Sequence, residues 1–370
     1  MSPLSCLNLG LLVLALIPAG PVAQTKTFIT PVSAATVEGS GSNNFPFTNT
    51  TPRRYIQIHS DLPKLPMRIT AVGFRITATT GTFTGVRNID MEMFMGRSAA
   101  YNACSFWMDN NWIGTRSKAV NRKTINFGPG VGANPGPSPF VPALKITLDT
   151  PFLRIPVDSF AWEIVVHSNT GGSIGTIDVD TCSSTNSPVT YNGTGCVATG
   201  QTSAMKQLVY CYDRCGTLLL MFSARYCPAN APAWLLLGTK NPNLPVPGLC
   251  TSIYSNFLNI IPIGTSDSAG DLNCQGSKYY YFAADGIMLV SNPGFGGTLY
   301  TQIMAIDQGR PGLPAALSDG AMFTLPLPDT TKPIQVTRLV NNLGGVTAKE
   351  SACWTTSSVG YGLVMQIHYQ

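Results

Sequence analysis

Hydrophobic positions along this chain recur at a period of two, in short runs separated by proline- and glycine-rich breaks. Residues 279–324 show the pattern most fully, as three apolar runs with a Pro/Gly turn between each. Within it, Leu299, Thr301, Ile303 and Ala305 alternate with Tyr300, Gln302, Met304 and Ile306. That alternation predicts a β-strand, whose successive side chains point to opposite faces. Asn292-Pro293-Gly294 and Gly309-Arg310-Pro311-Gly312 flank it as turns, because proline presets φ and glycine accepts positive φ. The same pattern predicts strands at 55–59, 67–77, 86–94, 124–127, 144–148, 160–167 and 175–180. Further strands are predicted at 206–212, 218–224, 234–238, 257–261, 279–282, 287–290, 299–307, 321–325, 334–340 and 362–369. Helical periodicity is not convincing in any window.

Two strands carry the clearest alternation. Phe160, Trp162, Ile164 and Val166 share a face that should point at a core, and Ile89, Met91 and Met93 oppose Asn88, Asp90 and Glu92. Tyr279, Tyr280, Tyr281 and Phe282 put aromatics on both faces of one strand, one face core and the other covered or a contact patch. Residues 128–142 are too rich in Pro and Gly for helix or central strand and read as a long loop. Residues 25–52 read as a polar N-terminal arm with one short strand. Residues 183–202 shift to Ser, Thr, Asn and Gly and read as a linker. The predicted fold is all-β, with two antiparallel β-sandwich domains of jelly-roll or immunoglobulin-like type at 24–182 and 203–370.

Composition sharpens the compartment. Only 11% of the 370 residues are charged and 44% are hydrophobic, with 36 Gly and 28 Pro. That is well below the roughly 25% charge usual for soluble domains and suits an exported β protein. Residues 9–17, LGLLVLALI, form an apolar run too short to span a bilayer and of signal-peptide length, which makes 1–23 a signal peptide. No Lys or Arg precedes Lys26, so the usual basic leader is missing. No later segment is long and apolar enough to span, so no membrane span is expected in the mature chain. Ten cysteines, no CxxC and three histidines favour disulfides over a zinc site. Without Cys6 nine remain, an odd number; Cys250–Cys274 is the pairing expected in the second domain.

Several segments carry a resemblance. TYNGTGC (190–196), APAWLLLGT (231–239), NIIPIGTSDSAGDL (259–272) and LYTQIMAIDQGRPGLPAALSDG (299–320) resemble a tail domain of predicted secreted proteins from environmental bacteria with large secretomes. VEGSGSNNFPF (37–47), RYIQIHSDLP (54–63) and ITAVGFRI (69–76) are similar to the domain that often precedes it. The resemblance implies export and a β-sandwich character. That family is itself uncharacterised in function, so no site is implied.

Candidate chemistry is sparse. Gly171-Gly172-Ser173-Ile174-Gly175 matches GxSxG, but a strand rather than a helix should follow it, and the only later histidine is His368. A glycine-rich loop explains it better than a hydrolase does. Asn88, Asp90 and Glu92 on one strand face, Asp178 with Asp180 on another, and more weakly Asp267 with Asp271, could offer oxygen ligands to Ca²⁺. A solvated sheet face or ordinary turn is the plainer reading of each. Arg116, Lys118, Arg122 and Lys123 follow Trp107 and Trp112 closely, and cations beside exposed rings could hold an acidic polysaccharide or a cell-envelope component. A solvated edge strand is the competing account. The formal net charge of +5 lies mostly in residues 24–190, with 14 Lys/Arg against 10 Asp/Glu. It is too mild for nucleic acid. The expectation is an exported, non-catalytic structural or interaction protein, then a carbohydrate- or envelope-binding module, with a secreted hydrolase last.

Overall fold

A computed structural model describes residues 24–48, 50–78, 81–105, 108–182, 184–272, 287–328, 334–340 and 360–370. The signal-peptide expectation, Trp107, the aromatic run 279–282, Cys274 and Cys353 lie outside them. The chain is all-β, and among the described residues the strand pairings are antiparallel. Among the described residues no helix is long and apolar enough to cross a membrane.

In chain order the first strands are β1 (Lys26–Thr30), β2 (Gly41–Asn43), β3 (Arg53–His59), β4 (Met67–Phe74), β5 (Arg87–Ser98), β6 (Ser117–Phe127) and β7 (Lys145–Arg154). Next come β8 (Ser159–Gly171), β9 (Ile177–Thr181), β10 (Ser184–Asn186), β11 (Val189–Asn192), β12 (Lys206–Arg214), β13 (Thr217–Arg225) and β14 (Pro232–Gly238). The last are β15 (Asn259–Thr265), β16 (Ile287–Ser291), β17 (Thr298–Ile306), β18 (Ala315–Thr324), β19 (Val336–Val340), β20 (Tyr361–Leu363) and β21 (Met365–Tyr369).

Two sheets, ordered β1-β21-β4-β7 and β19-β3-β8-β5-β6, turn their apolar faces onto one core, with the small sheet β2-β9-β20 beside them. The predicted core faces hold, although β8 is buried on both faces, Ala161, Glu163 and Val165 included. Phe160, Trp162, Ile164 and Val166 are buried in that core, as are Ile89, Met91 and Met93. Trp162 stacks on Tyr55 with ring centres 5.3 Å apart, and its Nε1–H donates to His59 Nε2 at 3.0 Å. His59 therefore carries its proton on Nδ1, directed at Thr30 Oγ1 2.9 Å away. The second pair of sheets, β10-β12-β13-β16 and β11-β18-β17-β14-β15, encloses a separate core around Phe222, Leu235, Ile303 and Phe323.

The domain boundaries differ from expectation at two places. The last strands do not belong with the second half: β19 pairs with β3, β20 with β9, and β21 lies between β1 and β4. Met365 and Ile367 are fully buried in the first core, so the C-terminus completes the first sheet pair. The segment read as a linker is also structured, since β10 pairs with β12 and β11 with β18. Both are edge strands, and the part-exposed side chains of β11 fit its polar composition. The chain leaves the first sheet pair at Cys182. This cysteine is bonded to Cys215 at the tip of the β12–β13 hairpin (Cα–Cα 5.8 Å), and the Ile334 N–H of the returning chain donates to Cys215 Sγ at 3.2 Å.

The second disulfide corrects another expectation. Cys250 is bonded to Cys196, with Cα atoms 5.3 Å apart, and so is not the partner of Cys274. Proximity in sequence favoured the shorter loop, whereas the sheet brings the end of the 190–196 segment to Cys250. Cys104, Cys211 and Cys227 are buried free thiols, each pushed up to about 12 by burial and so unreactive at neutral pH.

Candidate functional site

The basic run predicted as a ligand surface is itself strand β6, at the edge of its sheet beside β5. Its cations meet the carboxylates that were the metal candidates. Arg122 Nη2 lies 2.7 Å from Asp90 Oδ2, and Lys118 Nζ 2.8 Å from Glu92 Oε2, while His167 Nε2 approaches Glu92 Oε1 at 3.3 Å. Arg122 holds the Asp90 carboxyl below its ordinary range. Glu92 is also lowered, because Lys118 and His167 outweigh the burial that opposes its charge. Asn88 stays exposed on the same outward face. Lys123 turns instead to Asp149 of β7, in the facing sheet, and Arg116 to the buried Glu163, which Arg54 also binds. Trp112 is half-buried over Gly96, and the Arg116 guanidinium stacks 4.2 Å from the Phe94 ring. Cross-strand register thus satisfies the two predicted sets with each other and splits the four cations between different partners.

The remaining candidates resolve as structure. Asp178 and Asp180 of β9 are buried, not on a solvated face. Asp178 Oδ2 accepts from Arg75 Nε at 2.7 Å and from the Gly39 N–H at 3.1 Å; Asp180 Oδ1 accepts the Ser40 hydroxyl at 3.1 Å. They pin the N-terminal arm to the first sheet pair. Asp267 Oδ1 accepts the N–H groups of Ala269 and Asp271 at 2.9 and 2.8 Å, as a turn aspartate does. Ser173 is exposed in the loop from β8 to β9, its Oγ accepting the Gly175 N–H. Among the described residues no group of three or more His, Cys, Asp or Glu is placed to hold a metal ion.

The sequence did not point to one further opening. A cleft of about 580 Å³ lies in the second sheet pair, lined by Tyr191 of β11, Lys206 of β12, Arg225 and Tyr226 at the end of β13, and Asp319 of β18. Its wall is the loop 193–195, whose glycines have steric reasons. A Cβ on Gly193, which has φ 68°, would run into the Tyr254 ring, and one on Gly195 into the Met205 carbonyl. Cys196, the next residue, is tied to Cys250, so this wall is held rigidly. Asp319 Oδ1 accepts the Gln207 N–H at 2.8 Å, and burial pushes the Asp319 carboxyl up to about 6. Tyr191 Oη accepts the Val209 N–H at 3.1 Å. Tyr226 has φ 58°, a left-handed conformation costly for a bulky residue. These residues are spread over more than a hundred positions. Only TYNGTGC hinted at them, through glycines that turned out to shape the wall.

Lys206 and Arg225 stand directly opposite each other on the β12–β13 ladder, where like charges repel. No protein-family model matches the chain, and no curated protein matches it.

Proposed function

We propose that this chain is a non-catalytic interaction protein working outside the cytoplasm, and that it holds its ligand in the cleft between β11, β12, β13 and β18. The carrying observation is the cleft itself: a concave, rigidly walled space that gathers two cations, one carboxylate and two tyrosines. Binding is favoured over catalysis by the lining. Glycoside hydrolysis uses a pair of carboxyl groups, and Asp319 is the one carboxylate among the described lining residues. Export rests on the apolar run 9–17 and on two disulfides, which belong in an oxidising compartment.

The test is retention of the full chain on cell-envelope material and on immobilised polysaccharides, beside Ala204→Trp, which fills the cleft. Retention is expected for the native chain and for the combined Arg116→Ala, Lys118→Ala, Arg122→Ala and Lys123→Ala variant, and its loss for Ala204→Trp. Equal retention of native chain and Ala204→Trp would place the binding face elsewhere.

A further inference from the structure

We propose that one end of the first sheet pair docks on a lipid bilayer surface that carries anionic headgroups. It lies on the sheet pair that does not hold the cleft, and it stands whatever the cleft binds. The carrying observation is an inversion of the inside–outside pattern where β7 ends. Arg154 points inward and is buried, while Leu153, Ile155 and Val157 stand 61%, 52% and 66% exposed. A cation inside and aliphatic side chains outside reverse what burial of a sheet face favours. Val157 also sits in the turn between β7 and β8, a place ordinarily held by Asn, Asp, Gly or Ser.

The buried Arg154 shapes this end. Its Nη1 donates to the Pro63 carbonyl at 2.6 Å and to the Leu65 carbonyl at 3.3 Å, and the Asp61 carboxylate lies near enough to support its charge. The loop before β4 is thereby fastened to the end of β7, which sets the exposed Leu65 beside that strand end. Ile113, exposed as well, lines a shallow cavity of about 150 Å³ together with Leu153 and Ile155. That volume falls below the roughly 300–1,000 Å³ of small-molecule sites, so this end offers a surface rather than a pocket. Exposed aliphatic residues scattered singly need no explanation, whereas five gathered at one end mark a contact surface.

Charge decides the kind of contact. Lys64 and Arg68 are exposed here, Lys64 next to Leu65 in the loop and Arg68 opposite Leu153 on the β4–β7 ladder. Among the described residues neither has a carboxylate partner, and Arg68 donates to the neutral Gln370 side chain. The carboxylates in contact with this end are engaged, Asp158 by Arg97 and Asp61 by the Thr30 hydroxyl and the Val32 N–H. A second copy packed face to face about a two-fold axis would set Lys64 and Arg68 near their own counterparts. An anionic bilayer instead offers the aliphatic tips a hydrocarbon boundary to enter and the cations a negative surface. The long stems of Lys and Arg suit that place, because their heads reach lipid headgroups while neighbouring side chains insert.

The experiment is co-sedimentation of the full chain with vesicles of phosphatidylcholine alone and of phosphatidylcholine with phosphatidylglycerol in equal parts, at low and high salt. Thermal unfolding checks that each variant is folded. The native chain is expected to partition at least about tenfold more strongly onto the mixed vesicles, with a preference that shrinks as salt screens the charges. The combined Leu153→Ser, Ile155→Ser and Val157→Ser variant should lose about tenfold or more on the mixed vesicles. Should it fail to fold, Val157→Ser alone, at the most exposed of the three, is expected to weaken partitioning in the same direction. Lys64→Gln with Arg68→Gln should remove the preference for mixed vesicles and leave partitioning onto phosphatidylcholine unchanged. Ile260→Ser, at an exposed aliphatic position of β15 in the other sheet pair, should change nothing. Absence of native partitioning onto the mixed vesicles, equal partitioning onto both compositions, or undiminished partitioning of the serine variants overturns the proposal. So does reversible self-association of the native chain in sedimentation equilibrium that the serine variants abolish, which assigns this end to a second copy.

Discussion

The outer face of β5 and β6 and the cleft at the end of β12 and β13 both gather cations near aromatic rings, yet their neighbours differ. On the first, Arg122 and Lys118 sit across from Asp90 and Glu92 on the adjoining strand. In the second, Lys206 faces Arg225. Density of charge along the chain marked the first region, and there the charges are satisfied within the sheet. What marks the second is an unfavourable juxtaposition retained beside a cavity, and register rather than density creates it. A paired ladder explains itself as structure; the opposed cations of the second region border a cleft.

The largest expected effect tests whether the two regions depend on one scaffold. Ending the chain at Pro328 removes β19, β20 and β21, including the buried Val336, Leu339, Leu363, Val364, Met365 and Ile367. At about 1.5–3 kcal/mol for each fully buried large side chain, the loss matches or exceeds the ~5–15 kcal/mol that holds a domain together. The β5–β6 ladder should lose amide-exchange protection while β12, β13 and β18 keep theirs. Retained protection in β5 would show that the first core folds without its C-terminal strands.

Next in size is Glu163→Gln. Glu163 is fully buried between Arg54 and Arg116, so the change removes the carboxylate they share, Arg54 keeping its pairing with Asp109. Losses of about 3–5 kcal/mol are typical when one partner of a buried pair is removed. Denaturant unfolding followed on the first sheet pair should show it, with ligand retention by the cleft unchanged in the folded fraction.

On the cleft side, Gly195→Ala would force a Cβ against the Met205 carbonyl, and overpacking of this kind costs about 1–3 kcal/mol. The variant should unfold earlier and bind more weakly, whereas Gly200→Ala, with open space around it, should test only the φ of 81°.

The two regions should also respond to pH with opposite sign. Burial pushes Asp319 up to about 6, above its unfolded range near 3.9. The folded state then binds more protons between those values, so this contribution is full below about pH 4 and is lost as pH rises through about 6. Asp90 and Asp149 are lowered by Arg122 and Lys123, so their contribution is present above about pH 4 and lost on acidification. Amide exchange near β18 and near β5 and β6, followed from about pH 2 to 7, measures both slopes. A flat response near β18, unaltered in Asp319→Asn, would contradict the buried carboxyl. Smallest of all, Lys118→Ala should shift stability by no more than about 1 kcal/mol, as exposed ion pairs do, and a larger loss would give the ladder a structural weight denied it here.

Much of the strand content could be read from the chain. Alternation at 88–93 named the buried residues correctly, because a period of two leaves no choice of face once one side must be dry; at 160–167 it found one buried face and missed that the other is buried too. Strand β6 was half missed: its run of cations masked the backbone pattern, and 124–127 covers only its end. Asp178 and Asp180 looked solvated by their type alone. They are buried because Arg75, Ser33, Ser40 and backbone N–H groups satisfy them, and those partners come from residues far off in the chain.

Local sequence determined what depends on neighbours: the strands, the turns at Gly and Pro, the faces of β5 and β8, and the abundance of cysteine that two disulfides now account for in part. Tertiary structure alone decided that the last strands close the first sheet pair, that Cys250 joins Cys196, that the basic run is neutralised, and that a cleft forms from Tyr191, Lys206, Arg225, Tyr226 and Asp319. The physical reason is common to all four. Hydrophobic periodicity is a property of one strand, whereas pairing, disulfide choice and charge neighbours depend on which strands lie side by side, and burial of the whole core selects that arrangement.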